Sequence, residues 1–291
     1  MIIDAHAHLW KRQNGIVNGK PVFSIGGGKS DFGGVTRQMM PPYMINGGNT
    51  AEMLISNMDY AGVSGAVITQ EQIDGNQNEF LLSVKKRYPE RIKVCSLYEE
   101  GKLPITEGFD GIKICAGRLK EQDLTGHTTV FGTADAKGKF ISIDLADGDA
   151  QVATMREIIR QFPNLKIAIG HFGMVNRNGW QEQIRLANNE NVYIESGGIT
   201  WLFHNEFYPY PSAVRAINEA AELCGFEKLM WGSDYPRTMT AITYKMSLDF
   251  IEKTNEIKPA DKALLLGENA KEFYGFPDLQ IPEKVKNMME D

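Results

Sequence analysis

The sequence predicts an α/β fold, a (β/α)8 TIM barrel with a long lid insertion after the first strand, on three observations. Short apolar runs alternate about eight times with amphipathic segments, as in parallel strands joined by crossover helices. The 291 residues suit a barrel of about 250 residues with insertions. Polar and ionisable residues follow the apolar runs, at the face where such barrels carry their active sites. A doubly wound parallel sheet is the alternative fold.

The strands and helices are predicted from the spacing of apolar residues, with period two for strands and 3.6 for helices. In chain order the eight predicted strands are residues 1–5, 65–69, 92–97, 111–115, 140–145, 166–170, 192–196 and 228–232. Amphipathic spacing predicts helices over residues 50–61, 78–88 and 152–161. We therefore expect one catalytic barrel over residues 1–276 and a C-terminal extension over residues 277–291.

Two connections interrupt the repeat. Residues 9–50 hold nine of the 29 glycines, with Pro41 and Pro42 near their end. Structureless connections of this length are usually functional lids or disordered segments. Because this one follows the first strand directly, we expect a lid over the active site. The second insertion, residues 119–139, is expected at the rim, and the extension is open to either an accessory helix or a subunit contact.

Composition excludes several function classes. A net charge of -6 and a pI of about 5.5 argue against a nucleic-acid partner. No apolar run approaches the roughly 20 residues of a membrane helix, and the N-terminus lacks the features of a signal peptide. The three scattered cysteines fit buried free thiols in a reducing compartment, so a cytoplasmic protein is expected. The expected partner is a small molecule bearing carboxylate or hydroxyl groups, and a homo-oligomer is left open.

Two of the five histidines lie one residue apart near the start of the chain, in the stretch IDAHAH. Alternate side chains of a strand share a face, so His6 and His8 are expected to point the same way. Imidazole is a preferred ligand of zinc, which makes the pair a candidate metal site rather than two hydrogen-bonded core histidines. His127 and His204 lie in predicted loops and are given no role.

Three further residues are candidates for catalysis. His171, in IAIGHFG, follows an apolar run and is expected at a strand mouth as a metal ligand or acid–base catalyst. Asp234, in LMWGSDYPR, follows the last strand and is expected as a metal ligand or general base, with a helix N-cap as its alternative. Lys113, in GIKIC, is open to charge stabilisation of the reacting group or to simple packing of its stem.

Four residues are candidates for substrate binding. Asp144, in FISIDLADGD, could bind substrate, ligate a metal or hold the tautomer of a neighbouring histidine. Glu195 lies at the end of the predicted strand 192–196, Tyr235 follows the last strand, and both are expected to contact the substrate. Arg237 is expected to bind a carboxylate in bidentate fashion through its guanidinium. The alternative is that Arg237 is an ordinary surface arginine without a role in binding.

The stretches IDAHAHLW, GIKI, IGHFG, MWGSDYP and LLLGENAKEFYGF together resemble the amidohydrolase superfamily, and more narrowly its amidohydrolase-2 branch. The resemblance covers residues 2–276 and implies a (β/α)8 barrel. It implies that His6 and His8 are the metal pair of the first strand and that His171 is the sixth-strand metal ligand or acid–base catalyst. It also implies that Asp234 activates the attacking water.

The same resemblance implies a hydrolase that opens a small lactone or related ester or amide, with one divalent ion, zinc being the ion expected. A metal-independent site is the alternative, because some lactonase members of the branch are thought to work without metal. A metal-dependent, non-oxidative decarboxylase of an aromatic or unsaturated acid is the second functional hypothesis. Decarboxylase members usually carry a histidine after the fifth strand, where this chain has Asp144, which favours the lactonases. A barrel that binds a small molecule without turnover is the third hypothesis.

Overall fold

The computed structural model describes residues 1–283, 285, 286 and 288, in which two sheets are present. In chain order the strands are β1 (Ile2–His8), β2 (Asn14–Val17), β3 (Lys20–Gly26), β4 (Lys29–Phe32), β5 (Thr36–Gln38), β6 (Val63–Thr69), β7 (Ile92–Leu97), β8 (Gly111–Cys115), β9 (Phe140–Asp144), β10 (Ile167–Ile169), β11 (Val192–Glu195) and β12 (Leu229–Met230). Strands β1 and β6 to β12 form one sheet in sequential order, and all of its neighbouring strands pair in parallel.

The sheet closes on itself through backbone hydrogen bonds between β1 and the segment that follows β12. The Ala5 N–H donates to the Trp231 carbonyl at 2.9 Å, and the Asp234 N–H donates to the His6 carbonyl at 2.9 Å. A third bond joins the His8 N–H to the Tyr235 carbonyl at 2.8 Å. The predicted (β/α)8 barrel is therefore confirmed, and the closure places the first and last strands side by side.

The helices lie between the strands. They are α1 (Ala51–Ala61), α2 (Asn78–Arg87), α3 (Thr128–Ala136), α4 (Val152–Gln161), α5 (Trp180–Ile184), α6 (Ile199–Leu202), α7 (Pro211–Cys224), α8 (Met246–Lys253), α9 (Pro259–Ala263) and α10 (Asn269–Tyr274). The three predicted helices correspond to α1, α2 and α4, and each bound agrees within one residue. Within the described part of the chain, no helix combines the length and apolarity that crossing a membrane requires.

The amino-terminal end of the barrel is closed by α10. Phe273 and Tyr274 are 3% and 5% exposed and join an inner cluster with Ile3, Ala5 and Phe140. The ring centroids of Phe140 and Tyr274 lie 4.8 Å apart, in an edge-to-face arrangement. Side chains therefore fill the amino-terminal end. The polar residues follow the carboxyl ends of the strands and lie at the opposite mouth of the barrel.

Residues 9–50 are not structureless, which corrects the prediction for this connection. They contain β2 to β5, a four-stranded antiparallel sheet in sequential order, which we name the inserted sheet. Its hairpin turns use glycines with positive φ, Gly19 at 74° and Gly33 at 61°, so much of the glycine content encodes turns between short strands. The action of this segment as a lid stays a prediction.

The second insertion contains a helix, and its place at the rim stays a prediction. Residues 119–139 include α3, which provides the crossover between β8 and β9. Residues 277–283 form no helix or strand. The predicted accessory helix or subunit contact also falls on residues 284, 287 and 289–291, which lie outside the described residues.

Candidate active site

A bulge in β1 positions the first two candidate ligands. The register of β1 against β6 shifts between Asp4 and Ala7. Asp4 accepts hydrogen bonds from the His6 N–H at 3.1 Å and from the Ser233 hydroxyl at 2.6 Å, which fixes the bulge against the last strand. His6 and His8 are both buried, and their Nε2 atoms lie 3.0 Å apart. The two imidazoles therefore converge on one point, as the alternation of the sequence predicts.

Asp234 brings a carboxylate to the same point. Its Oδ1 lies 3.0 Å from His8 Nε2 and 4.0 Å from His6 Nε2, and it accepts no aligned hydrogen bond although it is buried. The other oxygen, Oδ2, accepts a hydrogen bond of 2.7 Å from the Trp201 indole. Burial opposes charge, but the His8 ring and the Arg237 cation hold the pKa of Asp234 well below its usual range. Asp234 is therefore an ionised carboxylate whose Oδ1 faces the two histidine rings and lies 3.7 Å from an Arg237 nitrogen.

Glu195 lies behind His6. Its Oε1 is 2.6 Å from His6 Nδ1, and its Oε2 accepts the Gly197 N–H at 2.6 Å. Burial disfavours the ionised form, but His6 and His171 hold the pKa of Glu195 below its usual value. A carboxylate on one ring nitrogen fixes the tautomer that leaves the other nitrogen with a free lone pair. Glu195, expected to contact substrate, thus orients His6 instead of facing the cavity.

Lys113, Asp144 and His171 form a second charged group beside these residues. Lys113 Nζ lies 2.6 Å from Asp144 Oδ1, and His171 Nε2 lies 3.7 Å from Asp144 Oδ2. The His171 Nδ1 is 2.7 Å from the Gly197 carbonyl and donates to it. Burial opposes protonation of the ring, but Asp144 outweighs it and raises the pKa of His171 to about 10. A protonated imidazole therefore stands next to His6, with 4.8 Å between the ring centroids.

Among the residues that the structure describes, two sets bring three potential ligand atoms within 4.8 Å of one another. They are His6, His8 and Asp234, and His6, Asp144 and His171. The first set suits a divalent ion better, because burial and the nearby Arg237 lower the pKa of His8 and keep its ring neutral. The atom separations of 3.0, 3.0 and 4.0 Å are close to the roughly 3.4 Å between tetrahedral ligands of zinc. In the second set, Lys113 and the His171 proton already engage Asp144.

Arg237 and Tyr235 are not placed as expected for side chains that contact the substrate. Arg237 binds a carboxylate of the protein, and Tyr235 lies outside the cavity lining. One Arg237 nitrogen donates to both carboxylate oxygens of Asp74, at 3.0 and 2.8 Å, and lies 3.9 Å from Glu71. The guanidinium also lies 5.7 Å from the ring centroid of Trp10. Tyr235 is 1% exposed, packs edge-on against another tyrosine and does not line the cavity. Arg237 borders the cavity with its Nη2 bound to Asp74, whereas its buried Nε and Nη1 have no hydrogen-bond partner among the described residues.

An open cavity of about 1090 Å³ lies over these residues. His171, Asp234 and Trp201 face it from the barrel, and Arg37 reaches it from the inserted sheet. Sequence reasoning missed Trp201 and Arg37. Trp201 lies six residues after the end of β11, within reach of the mouth, whereas the position of Arg37 depends on how the inserted sheet packs.

Solved structures with the same architecture include hydrolases and a decarboxylase. A probable 2-pyrone-4,6-dicarboxylic acid hydrolase from Acinetobacter baumannii, with citric acid bound, is 18% identical with a TM-score of 0.69, covering 94% of this chain and 99% of that chain. An amidohydrolase from Burkholderia multivorans with bound Zn is 15% identical with a TM-score of 0.69, covering 95% and 100%. The 5-carboxyvanillate decarboxylase from Sphingomonas paucimobilis is 17% identical with a TM-score of 0.58, covering 81% and 86%. At these identities the likeness establishes the fold.

The family is established by the sequence itself. A search among curated proteins found no match. The amidohydrolase family model, however, matches residues 3–276, which include β1 with its histidine pair and the aspartate that follows β12. The chain is therefore a member of the amidohydrolase-2 family.

Proposed function

We propose that this protein is a hydrolase that opens a small lactone or related ester bearing carboxylate or hydroxyl groups. The convergence of His6, His8 and Asp234 beside the protonated His171, all at one mouth of the barrel, carries the proposal. The structural likeness to a dicarboxylic acid hydrolase that was solved with citric acid supports an acidic substrate. We expect such an acidic substrate to bind in the cavity over the site.

The donor set fits one divalent ion, with zinc as the first choice. His6 and His8 would hold the ion through Nε2 and Asp234 through Oδ1, while His171 groups with His6 and Asp144 beside this set. Such an ion supplies a Lewis acid that polarises a carbonyl and eases the ionisation of water. The zinc in a structural neighbour supports this choice.

The proposed chemistry assigns a separate task to each residue. Asp234 accepts the proton of the attacking water at Oδ1 and, through the Trp201 hydrogen bond, keeps that oxygen turned toward the site. Its low pKa makes it a weak base, so stabilisation of the developing oxyanion has to contribute strongly. The His171 cation supplies that stabilisation, and Lys113 acts by keeping Asp144 ionised next to His171.

Non-oxidative decarboxylation is the second candidate function. A specific observation favours it: His171 is a protonated acid next to the site and could deliver its proton to a carbanionic carbon. The likeness to the 5-carboxyvanillate decarboxylase also supports it. Against it, Asp144 is held by Lys113 at 2.6 Å and stands where the decarboxylase members carry a histidine.

Product analysis separates the two functions. Lactone hydrolysis releases acid, which a pH indicator detects, whereas decarboxylation releases carbon dioxide and consumes a proton. We expect acid release from at least one lactone of a panel that includes dicarboxylate lactones, and none from the Asp234→Asn variant. Carbon dioxide from aromatic acids, with no acid release from any lactone, would contradict the hydrolase assignment.

A further inference from the structure

The inserted sheet forms part of the cavity wall. Its edge strand β5 and the residue that follows it contribute Arg37, Gln38 and Met39 to the lining, opposite the barrel residues His171 and Asp234. A side chain from an insertion therefore faces the space above the candidate site. Insertions of this kind are where barrels of one family differ in substrate, because the loops at the strand ends vary while the barrel persists.

Arg37 differs from the other two arginines of the cavity lining, Arg118 and Arg237, which both lie near carboxylates of the protein. Arg237 lies 2.8 Å from the Asp74 carboxylate, and Arg118 lies 3.9 Å from that of Glu71. Among the described residues, no carboxylate is within 4.0 Å of the Arg37 guanidinium, which lies 5.3 Å from the ring centroid of Phe32. A guanidinium that rests on an aromatic face keeps its N–H donors available to an anion.

Hydrogen bonds hold the inserted sheet against the barrel. The Gln13 amide accepts from the Ser30 hydroxyl at 2.5 Å and donates to Asp74 at 3.1 Å, which joins β4 to the carboxylate that binds Arg237. On the edge strand, the Gln38 amide donates to the Met40 carbonyl at 2.8 Å. The backbone that carries Arg37 is thus fixed before a ligand arrives, which lowers the entropic cost of binding.

We infer that Arg37 is a specificity residue that binds a carboxylate at the end of the substrate remote from the bond that is cleaved. The inference rests on the proposed function and narrows its substrate class to lactones or esters that carry a second, distal carboxylate. Arg37 would bind that carboxylate in bidentate fashion, while the barrel residues act on the carbonyl. The cavity joins both positions.

Calorimetric titration with isophthalate tests the inference without requiring turnover. Its two carboxylates are held too far apart on a rigid ring to chelate one ion, and dimethyl isophthalate is the matched neutral probe. We expect the protein to bind isophthalate about tenfold or more tightly than the diester. Arg37→Ala and Arg37→Gln should reduce that preference and leave the affinity for the diester unchanged. Arg12→Ala, at an exposed arginine of the same insertion outside the cavity lining, should behave like the unmodified protein.

Three results would overturn the inference. They are an unmodified protein that does not prefer isophthalate, an Arg37→Gln variant whose preference is undiminished, and an Arg37 variant that binds both probes more weakly by the same factor. The lactone assay reports on the proposed function separately. A protein that opens a lactone but shows no dependence on Arg37 loses this inference alone. A protein that binds isophthalate through Arg37 but opens no lactone loses the hydrolase assignment.

Discussion

His171 and Asp234 hold a left-handed backbone, with φ of 59° and 55°. This conformation costs of order 1 kcal/mol or more for a residue with a side chain, so the surroundings have to maintain it. At Asp234 two hydrogen bonds maintain this backbone conformation. The Asp234 N–H donates to the His6 carbonyl, and the Trp201 indole donates to the Asp234 carboxylate. Strain after β10 and after β12 coincides with two of the candidate catalytic groups, as expected where geometry serves chemistry.

Glu195→Gln should weaken metal binding. The amide cannot accept the His6 Nδ1 proton with the strength of a carboxylate, so the ring loses its fixed tautomer and part of its basicity. We expect metal affinity to fall about 10- to 100-fold, measured by competition with a chromophoric chelator. Glu190→Gln, at an exposed glutamate, is the control and should leave the affinity unchanged. Equal metal affinities of the two variants would contradict the role of Glu195 in orienting His6.

Trp201→Phe should lower turnover more than it lowers stability. The substitution keeps an aromatic ring but removes the N–H that donates to Asp234 Oδ2 at 2.7 Å. We expect kcat on an accepted lactone to fall about tenfold with KM nearly unchanged, because the bond orients the base rather than the substrate. Trp180→Phe is the matched control at a tryptophan in the core. A change in KM alone would show that Trp201 contacts substrate instead.

At the residue scale the sequence is informative where function follows from position along a strand. His6, His8, His171 and Asp234 each follow or end an apolar run, so their meeting could be predicted once a barrel was expected. The ion pairs that surround these residues could not be predicted. That Arg237 binds Asp74, 163 positions away, depends on packing between loops from different strands.

At the scale of elements, the inserted sheet is the least predictable part of the chain. Its strands are three to seven residues long, and the glycines in its turns resemble those of an unstructured loop. Helices α1, α2 and α4 could be predicted because each presents a continuous apolar face over ten or eleven residues. Short antiparallel strands with exposed faces give no such periodic signal.

Gln13→Ala should detach the inserted sheet from the barrel. Gln13 is fully buried between Ser30 and Asp74, and its loss leaves two buried polar groups without that partner. We expect the free energy of unfolding to fall by about 1–3 kcal/mol in urea titrations, with faster amide exchange in residues 14–38. Gln161→Ala, at an exposed helix end, should change neither quantity. Unaltered exchange in Gln13→Ala would contradict this anchoring role.

Phe273→Ala should weaken the closure of the barrel by α10. The ring is 3% exposed and packs against Phe140, Tyr193 and Tyr274 at the amino-terminal end. Removing it leaves a cavity, and we expect a loss of about 3–5 kcal/mol in chemical denaturation. Phe207→Ala, where the ring is 94% exposed, is the control and should cost little. Similar losses for the two variants would show that α10 does not act as a packed plug.

At the scale of the whole molecule, the site exists because the barrel closes. Residues 6 and 234 lie at opposite ends of the sequence, yet the Asp234 N–H donates to the His6 carbonyl at 2.9 Å. The sequential order of eight parallel strands then brings His171, after β10, to the same mouth. This convergence could be predicted from the repeat alone, whereas the size and walls of the cavity depend on the insertion.

Elemental analysis of the purified protein tests whether His6, His8 and Asp234 form the binding site of one divalent ion. We predict about one equivalent of zinc or a similar divalent metal per chain, and a loss of most of it in His6→Ala and in His8→Ala. His204→Ala, at a histidine outside this group, should retain the metal. A protein that carries no metal and takes up none when zinc is supplied, or a His6→Ala variant with full occupancy, would contradict the claim.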